Sequence, residues 1–243
     1  MFLDISQIKD IIRKEYKDDE YFTSINSNEH SLNGVLDKSE DIILDSIPEG
    51  KTCAIVGSSP NVFENENGDF IDEHDCVVRF NLARTEGYEK SVGSKTDFRI
   101  ISTKSFGYTE IKDYEKHDFN FFKELSNQHF LIKPRVDRNF RHFAGGFVNN
   151  MDTNNKVSVI SVEYMNSVSG LFKKMVEPSC GLLGISIMLQ HYDKVNLFGF
   201  DFYQDFNKLH YFENVQYFEK VHNFNEEREY CKTLEKLGRI KIY

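Results

Sequence analysis

The chain has no tryptophan, only four prolines, three alanines (Ala54, Ala83 and Ala144) and four cysteines in 243 residues. Cys53, Cys76, Cys180 and Cys231 include no Cys-x-x-Cys pair, so neither a zinc site nor a disulfide scaffold is suggested and ordinary reduced thiols are expected. No stretch approaches the roughly 20 apolar residues that cross a bilayer. The opening Met1-Phe2-Leu3-Asp4-Ile5 has neither the basic start nor the apolar run of a secretion signal, which gives a cytoplasmic expectation. Basic charge is also short: 30 Lys and Arg against 39 Asp and Glu leave a net charge of −9, which works against a surface that neutralises phosphate backbones. Nucleic acid is therefore excluded as the expected partner. What is abundant is Asn, at 20 residues, which with the scarcity of Ala reflects an AT-rich coding sequence and carries no fold information. The 22 Phe and 12 Tyr supply the core volume that Ala and Leu would otherwise fill.

The length suits one sizeable α/β domain. Ile5, Ile8, Ile12 and Tyr16 recur at helical spacing between charged residues, predicting an amphipathic helix over 5–22 that docks on the main domain. A Ser/Asn/Asp-rich linker over 23–40 and a short helical segment over 41–46 follow, so residues 1–46 form an extension and 47–243 the main domain. From Cys53 onward, short apolar runs alternate with helical or loop stretches: 53–57, 76–80, 98–101, 129–132, 157–160 and 195–199. Runs of this kind, buried on both faces, suit a mostly parallel sheet flanked by helices, a single Rossmann-like α/β domain. Residues 178–192 are apolar nearly all round and predict the longest core helix, lying against the sheet.

The first strand closes in Gly57-Ser58-Ser59-Pro60-Asn61, at the strand edge where open α/β sheets bind ligands. Alone it reads as a plain turn. It is not Gly-x-Gly-x-x-Gly, and Pro60 removes an N–H that a dinucleotide loop would use. Read through Ile71-Asp72-Glu73-His74-Asp75, Val78-Arg79-Phe80-Asn81-Leu82-Ala83 and Gly87 to Asp97, the segment resembles the long sialylmotif of the eukaryotic-type sialyltransferases, glycosyltransferase family 29. Pro178-Ser179-Cys180-Gly181-Leu182-Leu183 through Phe200 resembles that family's short motif. His210-Tyr211-Phe212-Glu213 is similar to its third motif, and His222 with Glu227 to its very short His-x4-Glu motif. Each tetrapeptide is common by chance; four motifs in family order over 53–227 are specific.

The resemblance implies an inverting, metal-independent transferase that moves sialic acid from CMP-sialic acid to a glycan hydroxyl on a lipid-linked acceptor or surface polysaccharide. It places CMP at the long motif, on Ser59, Asn61 and Asn81, and Asn suits a cytosine or ribose edge because it both donates and accepts. Ser58 departs from the usual Asn. Arg79 is expected to hold loops. Ser179, Cys180 and Gly181 start the core helix, where free N–H groups and the positive end of the dipole favour an anion; Ser179 also suits a helix cap, and the two readings are compatible. By resemblance His222 is the general base and His210 the contact to the donor phosphate, with Glu213 and Glu227 orienting loops or a histidine. No cofactor is expected: the sequence contains no Asp-x-Asp triplet, and CMP departs as a monophosphate that hydrogen bonds can stabilise. The family joins the long-motif cysteine, here Cys53, to a cysteine at the position of Tyr192, so the usual disulfide cannot form. This fits a soluble microbial or viral member, cytoplasmic or peripheral at the inner face of a membrane. The rivals are a CMP-Kdo or other CMP-ulosonate transferase, and a CMP-binding protein that has lost transfer activity. Residues 102–156 match no motif and are expected to face the acceptor.

Overall fold

The computed structural model describes residues 22–24, 47–48, 50–102, 124–133, 154–160, 162–173, 177–202, 210–213 and 222–243. The strands are β1 Phe22–Ser24, β2 Cys53–Val56, β3 Cys76–Phe80, β4 Phe98–Ser102, β5 His129–Lys133, β6 Lys156–Ile160, β7 Val195–Phe198 and β8 Ile240–Ile242. They form one sheet in the order β1-β6-β5-β4-β3-β2-β7-β8. Every neighbouring pair from β6 to β8 is parallel, and β1 alone runs antiparallel, at the edge beside β6. The Rossmann-like expectation holds. All six runs read from the sequence are strands, shifted by a residue at most at either end. Residues Phe22–Ser24, expected at the helix end and in the linker, instead extend the sheet. The rest of the expected 5–22 helix and the 41–46 segment lie outside the described residues.

The helices are α1 Gly68–Asp72, α2 Glu89–Val92, α3 Val162–Gly170, α4 Cys180–His191 and α5 Phe224–Lys236, with a 3-10 turn at Pro60–Glu64. Because alternate strand residues face opposite sides, each strand feeds two cores. Cys53, Ile55, Val78, Phe80, Phe98, Ile100 and Leu131 pack with α4 and with Tyr164, Tyr230 and Leu234 of α3 and α5. Ala54, Val56, Val77 and Phe198 pack on the other face with Ile71 and Val92 of α1 and α2. α4 is the expected core helix, although its 12 residues make it one shorter than the 13 of α5, whose amphipathic stripe buries only one face; it seats closely because a Cβ on Gly184 would lie 3.0 Å from the Phe80 ring and 3.1 Å from Ile100 Cδ1.

Strand order reverses beside β2: the chain steps outward from β2 to β6, then returns to lay β7 on the other flank of β2. Such a switch opens a crevice at the carboxyl ends of the two strands. Here the backbones come close enough that a Cβ on Gly57 would lie 2.3 Å from the Gly199 carbonyl oxygen. Gly57 N–H donates to Phe198 O at 2.7 Å and Ser59 N–H to Gly199 O at 3.1 Å, locking the two turns together.

Candidate active site

The sequence-derived residues gather along the carboxyl edge of the sheet in two hydrogen-bonded groups, one on the turns after β2 and β3 and one around the start of α4 beside the end of β5. The first is built on the turn after β2. Ser59 is buried and caps the 3-10 turn, its Oγ accepting from Asn61 N–H at 3.4 Å. Asn61 Oδ1 is buried and meets no donor among the described residues. Asn81 follows β3 with φ of 48°, a left-handed conformation that Asn tolerates better than most residues. Its Oδ1 accepts from Ser102 N–H at 2.9 Å, which commits one of its two lone pairs to the backbone and fixes the orientation of the amide.

Two buried guanidiniums brace this edge. Arg79 and Arg99 are in-register partners on β3 and β4. Arg79 donates to Lys95 O and Thr96 Oγ1, while Arg99 donates to Asn81 O at 3.0 Å, Ala83 O at 2.9 Å and Gln128 Oε1 at 3.0 Å. Burial lowers Arg79 to about 10 and Arg99 to about 9, Arg99 also feeling Arg79, so both remain cations at neutral pH. Arg79 thus holds loops, as expected. Arg99 holds the Asn81 turn from within a strand, where its sequence context, Phe98-Arg99-Ile100, reads only as core.

The third motif closes on the first. Tyr211 N–H donates to Ser58 O at 2.9 Å, its hydroxyl to Arg84 O, and its ring packs against Phe63 and Tyr88. This fixes His210 one residue away. Its Nδ1 pairs with Glu213 Oε1 at 2.7 Å and its ring stacks on Phe212, leaving Nε2 without a partner among the described residues. Glu213 therefore does orient a histidine.

The second group surrounds the start of α4. Ser179 caps the helix, its Oγ accepting from Leu182 N–H at 3.0 Å. The same hydroxyl donates to Glu227 Oε2 at 2.6 Å, and Ser179 N–H to Glu227 Oε1 at 3.0 Å. Glu227 thus orients the helix cap. Of the N–H groups at the helix start, those of Cys180 and Gly181 meet no acceptor among the described residues. The Phe200 ring covers Gly181, where a Cβ would lie 3.0 Å from Phe200 Cε1. Burial pushes the Cys180 thiol up to about 11, so at neutral pH it is a thiol beside Ser102 N–H and not a nucleophile.

His222 Nδ1 lies 2.7 Å from Glu177 O. A carbonyl can only accept, so Nδ1 carries the proton and Nε2 is left with its lone pair. Burial first and the Lys133 ammonium second lower His222 to about 4, so it is neutral at pH 7. Lys133, at the end of β5, ion-pairs with Glu177 Oε1 at 2.6 Å and donates to Pro178 O at 2.6 Å. Burial pushes Glu227 up to about 7, against the pull of the Ser179 hydrogen bonds and of Lys133. Lys133 and Glu177 match no motif; the one available signal is a lysine closing the apolar run Phe130-Leu131-Ile132-Lys133.

Among the described residues no helix is long and apolar enough to cross a membrane, and no cluster of three or more His, Cys, Asp or Glu has the arrangement of a metal site.

The crystal structure of a mammalian sialyltransferase superposes with a TM-score of 0.61 at 21% identity, covering 99% of this chain and 86% of that one. A CMP-N-acetylneuraminate-beta-galactosamide-alpha-2,3-sialyltransferase 1 from Sus scrofa is 30% identical over 169 residues, 68% of this chain and 48% of the relative. A beta-1,6-galactosyltransferase from Arabidopsis thaliana is 46% identical over 52 residues, 21% of this chain and 13% of its own length. The chain thus spans about half the length of the sialyltransferase relative that it matches. The model of glycosyltransferase family 29 (sialyltransferase) matches residues 6–239, and the chain belongs to that family.

Proposed function

We propose that the chain is an inverting transferase that moves sialic acid from CMP-sialic acid to a glycan hydroxyl, with His222 as general base. One observation carries this reading: His222 is held neutral with Nδ1–H spent on the Glu177 carbonyl, so that Nε2 is a ready proton acceptor on the ligand edge of the sheet. Nε2 takes the acceptor's proton as its oxygen bonds to the anomeric carbon, and the bond from that carbon to the phosphate oxygen breaks with its electron pair leaving on CMP. The N–H groups of Cys180 and Gly181, at the positive end of α4 and without an acceptor among the described residues, supply donors for an anion of the donor substrate. His210 presents Nε2 to the departing phosphate, and the Glu213 carboxylate balances the ring when both nitrogens are protonated. Asn61 Oδ1, buried without a donor among the described residues, suits an amine or hydroxyl of the nucleotide, while Asn81 offers its NH₂.

The test is CMP release in the presence of saccharide acceptors, run in parallel with CMP-Neu5Ac, CMP-Kdo and a nucleotide-activated galactose. Turnover with CMP-Neu5Ac alone supports the reading; preference for another donor replaces the sugar, and binding of CMP without turnover on any donor replaces the enzyme. H222A is expected to bind CMP but to turn over about 10²–10⁴-fold more slowly, the usual share of a general base. Near-wild-type turnover would remove His222 from the mechanism. Activity is expected to survive EDTA, since the chain has no Asp-x-Asp triplet and a monophosphate leaving group can be handled by hydrogen-bond donors. A requirement for Mg²⁺ or Mn²⁺, restorable after chelation, would contradict this.

A further inference from the structure

Lys133 is buried to 2% exposure at the carboxyl end of β5, in a stretch that matches none of the motifs. A buried ammonium is costly unless its donors are satisfied, and here both of its close partners belong to one dipeptide, Glu177 through its carboxylate and Pro178 through its carbonyl. That dipeptide leads directly into the cap of α4, and the Glu177 carbonyl is the group that receives His222 Nδ1–H. β5 is paired on both sides, with β4 and with β6, so a cation anchored at its end can hold the segment that leads into α4.

We propose that Lys133 is the positioning residue of the general base: it grips Glu177 and Pro178 from inside the sheet, and so fixes the carbonyl that holds His222 in the tautomer with Nε2 unprotonated. This rests on His222 acting as base. Lys133 touches no reacting atom; it acts through two residues. It also adds a positive charge near the imidazole, which opposes protonation. Among the described residues the other charged or titratable groups around this site are Glu177 from the segment before α4, Glu227 from α5 and the Cys180 thiol from α4. Of these, Glu177 pulls the imidazole the other way, toward protonation.

The experiment is ¹⁵N and ¹³C NMR of the histidine rings in the full chain, with the His222 signals assigned by their loss in H222A, and with transfer measured on the same samples. In wild-type protein the expected tautomer is Nδ1–H, and the ring stays neutral well below the ordinary histidine range near 6.5. K133Q keeps a donor but removes the charge and shortens the reach. It is expected to mix the two tautomers, to move the His222 titration up toward the ordinary range, and to lower kcat by about 10²-fold, the scale of an ångström misplacement, with a smaller change in the donor KM. K133R, which keeps the charge, should recover the low titration and part of kcat. A folded K133Q that keeps a pure Nδ1–H tautomer and an unshifted titration overturns the proposal.

If K133Q does not fold, E177Q carries the test, because it keeps the backbone carbonyl and removes half of what Lys133 grips. Mixed tautomers in E177Q support the proposal, and an unchanged Nδ1–H ring overturns it. Absence of transfer in a wild-type chain whose His222 tautomer does depend on Lys133 would overturn the functional reading while leaving the positioning intact. Transfer with no Lys133 dependence of tautomer, titration or kcat would do the reverse.

Discussion

The two histidines and their carboxylates differ in what the sequence could reveal about them. His-x4-Glu suggests by its spacing that Glu227 serves His222, yet Glu227 serves Ser179, and a backbone carbonyl serves the histidine. Backbone partners leave no trace in residue identity, which is why Glu177 was invisible while Glu213, a side-chain partner of His210, was legible. The buried pair also makes a testable statement about pH. Glu227, pushed up to about 7 by burial, keeps a proton in the folded state that the unfolded chain releases near 4.3. Its contribution to stability is therefore fully present below that value and is lost as pH rises through 7. His222, lowered to about 4, has the opposite slope: the unfolded imidazole takes its proton first, so this contribution is full above about 6.5 and is lost as pH falls through 4. E227Q removes only the first of these slopes, and the amide can still accept from Ser179 N–H. Its stability relative to wild type in urea titrations is expected to rise from pH 5 to about pH 7 and to level off above it. A flat difference would mean that Glu227 titrates as an ordinary carboxylate.

At the level of elements, the strands were readable because a parallel sheet covered on both faces requires continuous apolar runs, and six of them stand in the text. The exceptions have physical causes. Three-residue β8 is too short to show a pattern, and its pairing with β7 comes from tertiary packing. β1 lies at an edge, where one partner strand suffices and a polar sequence such as Phe22-Thr23-Ser24 is tolerated. α5 places Glu227, Tyr230, Cys231 and Leu234 at helical spacing on its buried face, a stripe disguised by the carboxylate at its head. The ligand turn was legible as a turn, but its constraint was not, because that comes from Gly199, 142 residues later. Gly57→Ala would drive a Cβ to 2.3 Å from the Gly199 carbonyl oxygen, and neither group is the free end of a side chain. The expected cost is about 1–3 kcal/mol, the usual range for overpacking. Donor affinity should fall with it, because Ser59 and Asn61 ride on the displaced turn. Gly170→Ala is the control: its Cβ would meet nothing within 4 Å, and stability should hold or rise slightly. Equal losses at both positions in denaturant titrations would show that the close approach of β2 to β7 is not what Gly57 provides.

For the whole molecule, the question is what replaces a long-range covalent tie. A bridge between positions 53 and 192 would close a loop of more than a hundred residues, worth roughly 4–5 kcal/mol in the chain-entropy model. Tyr192 stands at that place as a buried side chain at the end of α4, beside Cys76 and Cys53, and its hydroxyl donates to Pro48 O at 2.8 Å. It thereby joins the helix end, the amino ends of β2 and β3, and the segment that enters β2. Ring burial of about 2–3 kcal/mol and a hydrogen bond of about 1 kcal/mol recover much of what a disulfide would supply. Burial raises the Cys53, Cys180 and Cys231 thiols, so none is poised for exchange. Cys180 sits at the carboxyl edge of the sheet and Cys53 at the amino start of β2, so they lie at opposite ends. The one pair within reach is Cys53 and Cys76, in-register partners on β2 and β3, and both are free thiols. Two results follow if packing, not sulfur, holds the chain together. Dithiothreitol should leave the melting temperature unchanged, with all four cysteines alkylated after unfolding without reduction. Y192A should lose about 3–5 kcal/mol, as truncation of a buried aromatic does, whereas Y192F should lose only about 1 kcal/mol. A drop in melting temperature on reduction, with Cys53 and Cys76 recovered as one cross-linked peptide, would place the tie in the sheet instead of at Tyr192.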